Sequence, residues 1–358
     1  MAKIVIAAGG TAGHVVPALA VADALRERGA DVEFIGGERA EAELVPAAGY
    51  GFHSVRVIGI ERGKPLRAAQ AVALAAAATG RARRLLRRLD PDAVLAGGGY
   101  VAGPVGLAAR SLRLPLALSE ADSHLGFANR LLAPLARRVF LAFPLEGRRG
   151  AKYLVTGRPV PSNTGKVDRA AARERFGIPP NEPCVLIFGG SLGARRLNEA
   201  AVEAFGRASP CSVLHAAGRR DHDDLRRRLD ELGSPAHYHL YPYIQPFADA
   251  LAAADLVVAR AGGSVLELAA AGLPAVLVPY PYATADHQTS NAHFMERAGA
   301  AVVVPDGELD GPRLAREVAR LLGSKQRLGE MAGAARRVAL PDAAARIAEE
   351  TLGLVRAG

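Results

Sequence analysis

Short apolar runs alternate with longer amphipathic or alanine-rich segments along almost the whole chain. Each apolar run is typical of a buried strand, and most intervals between the runs are long enough to hold a helix. Strands that alternate with helices predict parallel sheets with helices on both faces. The predicted strands are 3–8, 31–36, 52–58, 92–97, 114–120, 137–143 and 152–157 in the first half, and 184–190, 212–218, 236–241, 256–260, 274–280 and 300–305 in the second.

A Pro/Gly/Ser/Asn-rich segment, TGRPVPSNTG at 156–165, interrupts this alternation, which then restarts. A chain of 358 residues is also longer than one hydrophobic core usually supports. We therefore predict an α/β protein with two doubly wound, Rossmann-like domains, residues 1–157 and 158–340. A last helix within 341–358 can pack on either domain. Ligands of such sheets bind at the carboxyl ends of the strands, so the domains are expected to face each other across a cleft.

The excess of basic residues is confined to the first half of the chain. Residues 1–158 hold 22 Lys and Arg against 13 Asp and Glu, whereas residues 159–358 hold 23 of each, and the net charge is +9. This asymmetry predicts that the first domain faces an anionic partner. RARRLLRRL at 81–89 places five arginines beside a stripe of leucines. It is typical of a helix with one solvated face, or of attachment to an anionic bilayer surface.

Other compositional features narrow the class of protein. Tryptophan is absent and aromatics are few, which argues against an aromatic-rich nucleic-acid surface. The apolar runs are too short to span a membrane, and the first residues show no secretory signal pattern. Cys184 and Cys211 lie in separate apolar runs without a CxxC motif, which is typical of a reducing cytosol.

The segment AAGGTAGH at 7–14, here loop one, joins the first predicted strand to a helix. Glycines let the backbone approach a bulky anion, and the N–H groups at a helix N-terminus favour negative charge. Two interpretations stay open. Loop one is either a tight turn capped by Thr11, or a site loop in which His14 points toward a substrate.

Loop three, FGGSLGARRLNEA at 188–200, repeats this arrangement after the first strand of the second half. Ser191 is placed to donate a hydrogen bond to a phosphate. Two glycine-rich turns in matching positions favour a ligand site over coincidence.

Two further loops carry groups that suit a nucleotide sugar. In loop four, RAGGSVLELAAAGLP at 260–274, Glu267 either complements a helix dipole or accepts both hydroxyls of a ribose. In loop five, PYATADHQTSNA at 281–292, Gln288 and Asn291 share one face of a helix start. Their amides suit sugar hydroxyls.

Loop two, AGGGYVAGP at 96–104, supports a rival interpretation. It matches a relaxed dinucleotide-binding pattern, G-x-G-x-x-A, and Glu120 lies where a ribose-binding acid is expected. A nicotinamide-dependent oxidoreductase is therefore an alternative. The bulky Tyr100 inside the turn, and the position after the fourth strand, weaken it.

We predict no metal site. Of two D-x-D matches, 90–92 precedes a strand and 221–223 is typical of a helix cap. A leaving group would then be stabilised by helix N-termini and hydrogen-bond donors.

Together, the five loops resemble the MurG family of cell-wall glycosyltransferases. GGTAGH is similar to the family's GGTGGH, GGYVAGP to GGYVSGP, and GGSLGAR to GGSQGAR, while AAAGLP and DHQTSNA follow in the same order. The resemblance covers nearly the whole chain. It implies a GT-B fold that transfers GlcNAc from UDP-GlcNAc to undecaprenyl-pyrophosphoryl-MurNAc-pentapeptide (lipid I), giving lipid II. It also implies that the first domain binds the acceptor and the second mainly binds UDP-GlcNAc.

The resemblance further implies roles for residues at matching positions. The reaction centre would be faced by Thr11, Ala12, Gly13 and His14, and the acceptor by Tyr100. Ser191 would contact the diphosphate, and Ile244 would contact the uracil through its backbone. Glu267 would hold the ribose, and Gln288 would hold the GlcNAc hydroxyls.

The chain departs from the family pattern at several positions, and loop four is one residue shorter than in some members. Ala12 replaces a glycine, and Asp122 in SEADSHLG replaces an asparagine of the family's HEQN. Pro161 in GRPVP stands where the family's GNPVR has an arginine, and Arg158 is expected to substitute for it.

The mechanism expected from this resemblance is an inverting, metal-independent transfer without a cofactor. His14 is the first candidate for the general base because its ordinary pKa suits that role near neutral pH, with Asp122 and Glu120 in reserve. The expected location is peripheral, on the anionic cytoplasmic face of the cell membrane. Nucleic acid is excluded, and other cell-wall synthesis proteins are candidate partners. A GT-B transferase with another acceptor, or a UDP-sugar epimerase, is the nearest alternative.

Overall fold

The three-dimensional structure of the chain is a computed structural model. It describes residues 1–10, 12–57, 65–190, 193–283 and 286–356, without the side chains of 12, 65–72 and 356. The predictions for Thr11 and Ser191 lie outside the described residues, and for Ala12 only the backbone is described.

Each predicted strand has a counterpart in the structure. Most are shorter than predicted, because the last apolar residues of a run often leave the ladder to form the turn that follows. The strands are β1 (Lys3–Ala7), β2 (Asp31–Gly36), β3 (Gly51–Ser54), β4 (Ala93–Ala96), β5 (Leu116–Glu120), β6 (Arg138–Leu141), β7 (Tyr153–Val155), β8 (Cys184–Phe188), β9 (Ser212–Ala216), β10 (Tyr238–Tyr241), β11 (Leu256–Ala259), β12 (Ala275–Leu277) and β13 (Ala301–Val303).

Helices occupy most of the intervals between the strands. They are α1 (Ala12–Arg26), α2 (Ala40–Ala47), α3 (Pro65–Leu89), α4 (Ala102–Ser111), α5 (Phe127–Leu132), α6 (Arg169–Phe176), α7 (Arg195–Phe205), α8 (His222–Glu231), α9 (Phe247–Ala253), α10 (Val265–Ala271), α11 (His287–Arg297), α12 (Gly311–Leu322), α13 (Lys325–Val338) and α14 (Ala343–Arg356).

The chain divides into two compact units, Met1–Pro161 with Leu340–Gly358, and Ser162–Ala339. Among the described residues, the first unit holds a parallel sheet in the order β3-β2-β1-β4-β5-β6-β7 and the second one in the order β10-β9-β8-β11-β12-β13. Both orders are doubly wound, since the chain runs outward from the first strand in one direction and then in the other. The predicted α/β class with two Rossmann-like units is confirmed.

The order of the strands decides which loops become neighbours. Strand β1 pairs with β4, so loops one and two leave the same sheet edge side by side. Strand β8 pairs with β11, which does the same for loops three and four. In each unit this is the point where the winding direction reverses, and doubly wound sheets bind their ligands there.

The first unit buries apolar side chains on both faces of its sheet. Ile4 and Ile6 of β1 face α1 and α14, whereas Val5 and Ala7 lie on the other face with the layer formed by α3, α4 and α5. This alternation follows from the two-residue period of a strand. A strand buried on both sides must be apolar throughout, which is why KIVIA has one continuous apolar run.

The C-terminal helix, α14, belongs to the first unit and packs against α1. Ile347 and Ala348 are fully buried in the core that includes β1. Arg138 of β6 donates to the carboxylate of Glu350 at 3.2 Å. The sequence left the partner of this helix undecided, and the structure assigns it to the unit that carries loop one.

Within the part of the chain that the structure describes, no helix has the length and hydropathy to cross a membrane. Cys184 and Cys211 are free and buried, and burial raises the pKa of the Cys184 thiol to about 12.

Candidate functional site

Loops one and two approach each other so closely that glycine is required at their contact. A Cβ on Gly99 would overlap the carbonyl oxygen of Gly9, and Gly99 has a φ of +76°. A Cβ on Gly98 would lie 3.0 Å from Cδ2 of His14. The imidazole of His14, in the first turn of α1, is therefore packed against the backbone of loop two, and the two predicted loops form one site.

Three charged side chains act on the imidazole of His14. Burial of the ring is the largest influence and lowers the pKa of His14 below its ordinary value. Asp122 and Glu41 raise this pKa, whereas Arg158 lowers it. The result is an imidazole that is neutral near pH 7, which is the form that can accept a proton.

Arg158 connects the segment before His14 with the segment that carries Asp122. It is 6% exposed, and its guanidinium donates to the carbonyl oxygens of Gly13 and Ala121. Within the described residues its Nε has no hydrogen-bond partner. The sequence predicted a substrate contact for Arg158, and two of its nitrogen atoms are bonded to protein carbonyls.

Glu120 organises the turn that follows β5. Its carboxylate accepts hydrogen bonds from the N–H of Gly126 at 2.8 Å, from Nδ2 of Asn129 at 3.0 Å and from the N–H of Asp122 at 3.2 Å. Burial is the main influence on this carboxyl and raises the pKa of Glu120, while these three hydrogen bonds oppose the rise. Because protein donors occupy the carboxylate, Glu120 is poorly placed to hold the ribose of a dinucleotide.

Glu41 is a buried residue that the sequence analysis missed. It is fully buried at the start of α2, and its carboxylate accepts from the N–H groups of Gly10 and Gly37, both at 2.9 Å. The only local signal was an acidic residue in a first helical turn after a pair of glycines. Glu38 and Glu43 nearby are exposed, and the local sequence does not distinguish them from Glu41.

Tyr100 of loop two lies beside loop one. A Cβ on Gly10 would lie 3.5 Å from its ring, and the guanidinium of Arg39 lies 5.2 Å from the ring centre. Burial raises the pKa of the Tyr100 phenol, so this side chain is neutral at physiological pH. The resemblance placed Tyr100 near the acceptor, and the structure brings it into the His14 region.

In the second unit, Asn198 at the end of loop three belongs to a buried polar network. Asn198 of α7 donates to the carbonyl of Ala217 at 2.9 Å and to Asp221 at 3.0 Å, and its Oδ1 lies 3.1 Å from Nε2 of His215. The Nδ1 of His215 lies 2.8 Å from the hydroxyl of Tyr238. Burial lowers the pKa of His215 to about 3, so its ring is neutral.

This network corrects one detail predicted for the D-x-D motif at 221–223. Asp221 occupies the N-cap position of α8 without a side-chain bond to a helix N–H. Its carboxylate accepts from Asn198 and Arg220 instead. The other motif precedes a strand as predicted, and Asp92 accepts from the N–H of Lys3. Within the described ranges, no group of three His, Cys, Asp or Glu side chains is arranged to hold a metal ion.

Loops four and five are tied together within the second unit. Asn291 is buried and donates to the carbonyl of Ala261 at 3.1 Å, so its amide is used inside the protein. Gln288 accepts from the N–H of Tyr280 at 2.9 Å. Glu267 is partly exposed in the first turn of α10. Ser264 occupies the N-cap position of α10, and its side chain makes no capping bond.

Ile244 lies between β10 and α9, and its side chain is 4% exposed. A ligand could therefore be recognised at this position through backbone groups rather than through the side chain.

The structure places the predicted residues as two sets. His14, Tyr100, Asp122 and Arg158 lie in the first unit, and Ile244, Glu267 and Gln288 lie in the second.

Both units match known domains. Residues 4–141 match the Glycosyltransferase family 28 N-terminal domain, and residues 184–347 match the Glycosyltransferase family 28 C-terminal domain. A protein of Moorella thermoacetica, named UDP-N-acetylglucosamine--N-acetylmuramyl-(pentapeptide) pyrophosphoryl-undecaprenol N-acetylglucosamine transferase, is 41% identical over an alignment 370 residues long, which covers 99% of this chain and 100% of that protein. A protein of the same name from Halorhodospira halophila is 45% identical over 96% of each chain.

A solved structure shows the same similarity. The crystal structure of Acinetobacter baumannii MurG superposes with a TM-score of 0.75 at 32% sequence identity and covers 98% of this chain and 99% of that one. The similarity therefore extends over both units and nearly the full length of these relatives.

Proposed function

The chain belongs to the family of UDP-N-acetylglucosamine--N-acetylmuramyl-(pentapeptide) pyrophosphoryl-undecaprenol N-acetylglucosamine transferases, and we propose that it converts lipid I to lipid II with UDP-GlcNAc as the donor. It is a glycosyltransferase with the GT-B fold. The first unit binds the acceptor, and the second binds UDP-GlcNAc.

The observation that carries this mechanism is the neutral imidazole of His14 at the contact of loops one and two. The C4 hydroxyl oxygen of MurNAc attacks the anomeric carbon of GlcNAc, and His14 takes the hydroxyl proton. The bond from the anomeric carbon to the phosphate oxygen breaks, so UDP leaves with the electron pair. Attack opposite the leaving group inverts the anomeric configuration. A positioned base of this kind contributes about 100- to 10,000-fold to a rate.

The remaining predicted residues have supporting roles in this proposal. Thr11, Ala12 and Gly13 bring the loop-one backbone to the reaction centre, and Tyr100 contacts the acceptor. Arg158 keeps this loop and the Asp122 segment together, and Asp122 is the reserve base. In the second unit, Ser191 and the start of α7 stabilise the diphosphate of the leaving UDP. The uracil, ribose and GlcNAc contacts are made by Ile244, Glu267 and Gln288.

The test is transfer of labelled GlcNAc from UDP-GlcNAc to a short-chain lipid I analogue in excess EDTA. The wild type is expected to be active. His14→Ala is expected to lose about 100- to 10,000-fold in kcat while UDP binding is retained. His293→Ala is the matched control, since the His293 side chain in α11 is 45% exposed and pairs with Glu296 of the same helix.

Two outcomes would contradict the proposal. Equal transfer by the wild type and His14→Ala removes His14 as the base and moves attention to Asp122. Wild-type binding of UDP without transfer to the lipid I analogue would leave the donor site intact and reject this acceptor.

We also propose that the first unit attaches the enzyme peripherally to the anionic cytoplasmic face of the membrane. Arg81, Arg84, Arg87 and Arg88 of α3 are exposed. Helix α4 packs against both α3 and α5. Large apolar side chains that are exposed on α4, on α5 and just after α5 are Leu107, Phe127, Leu131 and Leu135. Exposed apolar groups close to basic helices suit an interface with anionic lipid.

Sedimentation with vesicles that contain anionic lipid tests this attachment. The double change Arg87→Gln and Arg88→Gln is expected to weaken binding, because each basic residue near the surface contributes about 1 kcal/mol. The control is Arg207→Gln with Arg219→Gln, which removes the same charge from exposed positions of the second unit. Equal loss in both double variants would contradict attachment through α3.

A further inference from the structure

Glu41 is a buried carboxylate that forms no ion pair within the described part of the chain. It is fully buried, and its described partners are the N–H groups of Gly10 and Gly37, one for each oxygen at 2.9 Å. Burial of a charged carboxylate is unfavourable unless its oxygens are well satisfied. A buried charge at this position therefore requires a reason beyond the stability of α2.

A purely local role would involve only one of the two oxygens. Oε1 accepts from Gly37, four residues earlier, which is a local contact at the start of α2. Oε2 reaches Gly10, which is 31 residues away in loop one. Glu41 thus joins the turns that follow β1 and β2, two neighbouring strands of the sheet.

Three glycines make the space that this carboxylate fills. A Cβ on Gly9 would lie 2.8 Å from Oε1 of Glu41, and a Cβ on Gly37 would lie 2.7 Å from the same atom. A Cβ on Gly36 would lie 2.8 Å from Cγ of Glu41. The glycines of loop one and of the second turn therefore accommodate this side chain, in addition to their close approach to loop two.

The hydrogen bond to Gly10 acts on the residue that directs the chain into α1. Gly10 has a φ of +113°, α1 begins at Ala12, and His14 lies in the first turn of that helix. Restraining the Gly10 amide restrains where the first turn begins and hence where the imidazole of His14 lies.

We propose that Glu41 is a positioning residue for the transfer reaction, which holds loop one so that His14 meets the acceptor hydroxyl and which supports the positive charge that His14 acquires. This inference rests on the proposed function.

The charged groups around His14 define what Glu41 contributes. Asp122 and Glu41 favour the imidazolium, and Arg158 opposes it, while the neighbouring Tyr100 is neutral. When His14 accepts the acceptor proton, the fixed negative charge of Glu41 stabilises the product of that step. Removal of this charge is expected to lower the pKa of His14.

The experiment compares Glu41→Gln with Glu43→Gln. Both remove one carboxylate from α2, and Glu43 is exposed. Glu41→Gln is expected to lower kcat by about 100-fold, because small displacements of a reacting group have effects of this size. The KM for UDP-GlcNAc is expected to stay within about twofold, since the donor is assigned to the other unit. Glu43→Gln is expected to match the wild type.

The pH dependence separates a positioning role from a structural one. In Glu41→Gln the acid limb of kcat/KM, and the titration of His14 followed by NMR, are expected to move to lower pH. An unmoved His14 titration would overturn the proposal even if kcat falls. Wild-type kcat in folded Glu41→Gln would also overturn it.

Failure of the proposed function has a different signature. If the wild type transfers no GlcNAc, that function is wrong, yet the NMR titration of His14 still tests the coupling to Glu41. If Glu41→Gln does not fold, Glu41→Asp keeps the charge and loses the reach, so kcat is expected to fall while the acid limb stays in place. Hydrogen exchange in the wild type is a further test, since rapid exchange at Gly10 would contradict the contact.

Discussion

Loops one and three occupy matching positions in the two units, but different chemistry holds them. Loop one lies among charged groups. The carboxylate of Glu41 accepts a hydrogen bond from the N–H of Gly10, and the guanidinium of Arg158 donates one to the carbonyl of Gly13. Behind loop three the groups are mostly neutral, with the amide of Asn198 and the imidazole of His215 hydrogen-bonded in the interior. Each loop follows the central first strand of its sheet.

This difference matches the chemistry proposed for each unit. In the proposed mechanism the first unit moves a proton through His14, so fixed charges nearby change the free energy of its protonated form. The second unit would hold a nucleotide sugar without a change in its own charge, and a satisfied buried hydrogen-bond network provides rigidity at constant charge. The same topology thus supports two electrostatic environments.

The largest expected effect comes from breaking the buried hydrogen-bond network of the second unit at its centre, Asn198. Asn198→Leu leaves the carbonyl of Ala217 and the ring of His215 without their amide partner. Unsatisfied buried polar groups cost about 1–3 kcal/mol each, so we expect a loss of about 3 kcal/mol in the free energy of unfolding. Urea unfolding followed by circular dichroism measures it. The control is Glu199→Gln on the exposed side of the same helix, and an equal loss there would reject the network.

The next largest effect is the loss of folding stability at acid pH that His215 causes. Burial lowers its folded pKa to about 3, whereas an unfolded histidine titrates near 6.5. The unfolded state therefore binds the proton first, and stability is lost as the pH falls from 6.5 toward 3. Between pH 7 and 5 we expect a loss of about 2 kcal/mol. In His215→Gln this slope should flatten, and an unchanged slope in urea titrations at both pH values would contradict the assignment.

A smaller effect is expected when one hydroxyl of the network is removed. Tyr238→Phe deletes the hydroxyl that pairs with Nδ1 of His215 and should cost about 1 kcal/mol in urea unfolding. Tyr241→Phe is the matched control, since Tyr241 lies on the same strand and packs its ring against Phe176. If both substitutions cost the same, the hydroxyl contact contributes nothing specific.

The last prediction concerns the sign of a pH dependence rather than its size. Burial raises the folded pKa of Glu120 in the first unit, so the folded state binds this proton more tightly than the unfolded state. Its contribution to stability is present below the unfolded pKa and is lost as the pH rises through the folded one. Relative to Glu120→Gln, the wild type should lose stability as the pH rises from about 4.5. Glu146→Gln, an exposed control, should follow the wild type.

The parts of the fold set by local pattern could be predicted. The continuous apolar run of KIVIA and its counterparts located the strands, and their alternation with helices identified the two doubly wound units. The pattern did not show that His14 and the 96–104 segment belong to one site. The pairing of β1 with β4 decided this, because adjacent parallel strands end at the same sheet edge.

Residues whose role depends on partners far along the chain could not be predicted. In the local sequence Glu41 cannot be distinguished from Glu38 and Glu43. Only the fold brings its carboxylate within hydrogen-bond distance of the N–H of Gly10. Arg158 was expected to substitute for the arginine of the family's GNPVR, and in the structure its guanidinium donates to the carbonyl oxygens of Gly13 and Ala121. Asn291 was grouped with Gln288 by helical spacing, and the structure uses its amide to hold loop four.

By itself, the sequence determined the order of strands and helices, the two-unit organisation and the loops that carry the chemistry, since these depend on short-range periodicity and on backbone freedom at glycine. Only the tertiary structure decided which buried groups share a hydrogen bond, which carboxylates are left among N–H groups, and where α14 packs. These contacts join side chains that long crossover connections bring together. Hydrophobic periodicity and secondary-structure propensity are local properties, so they do not predict contacts between residues far apart in the sequence.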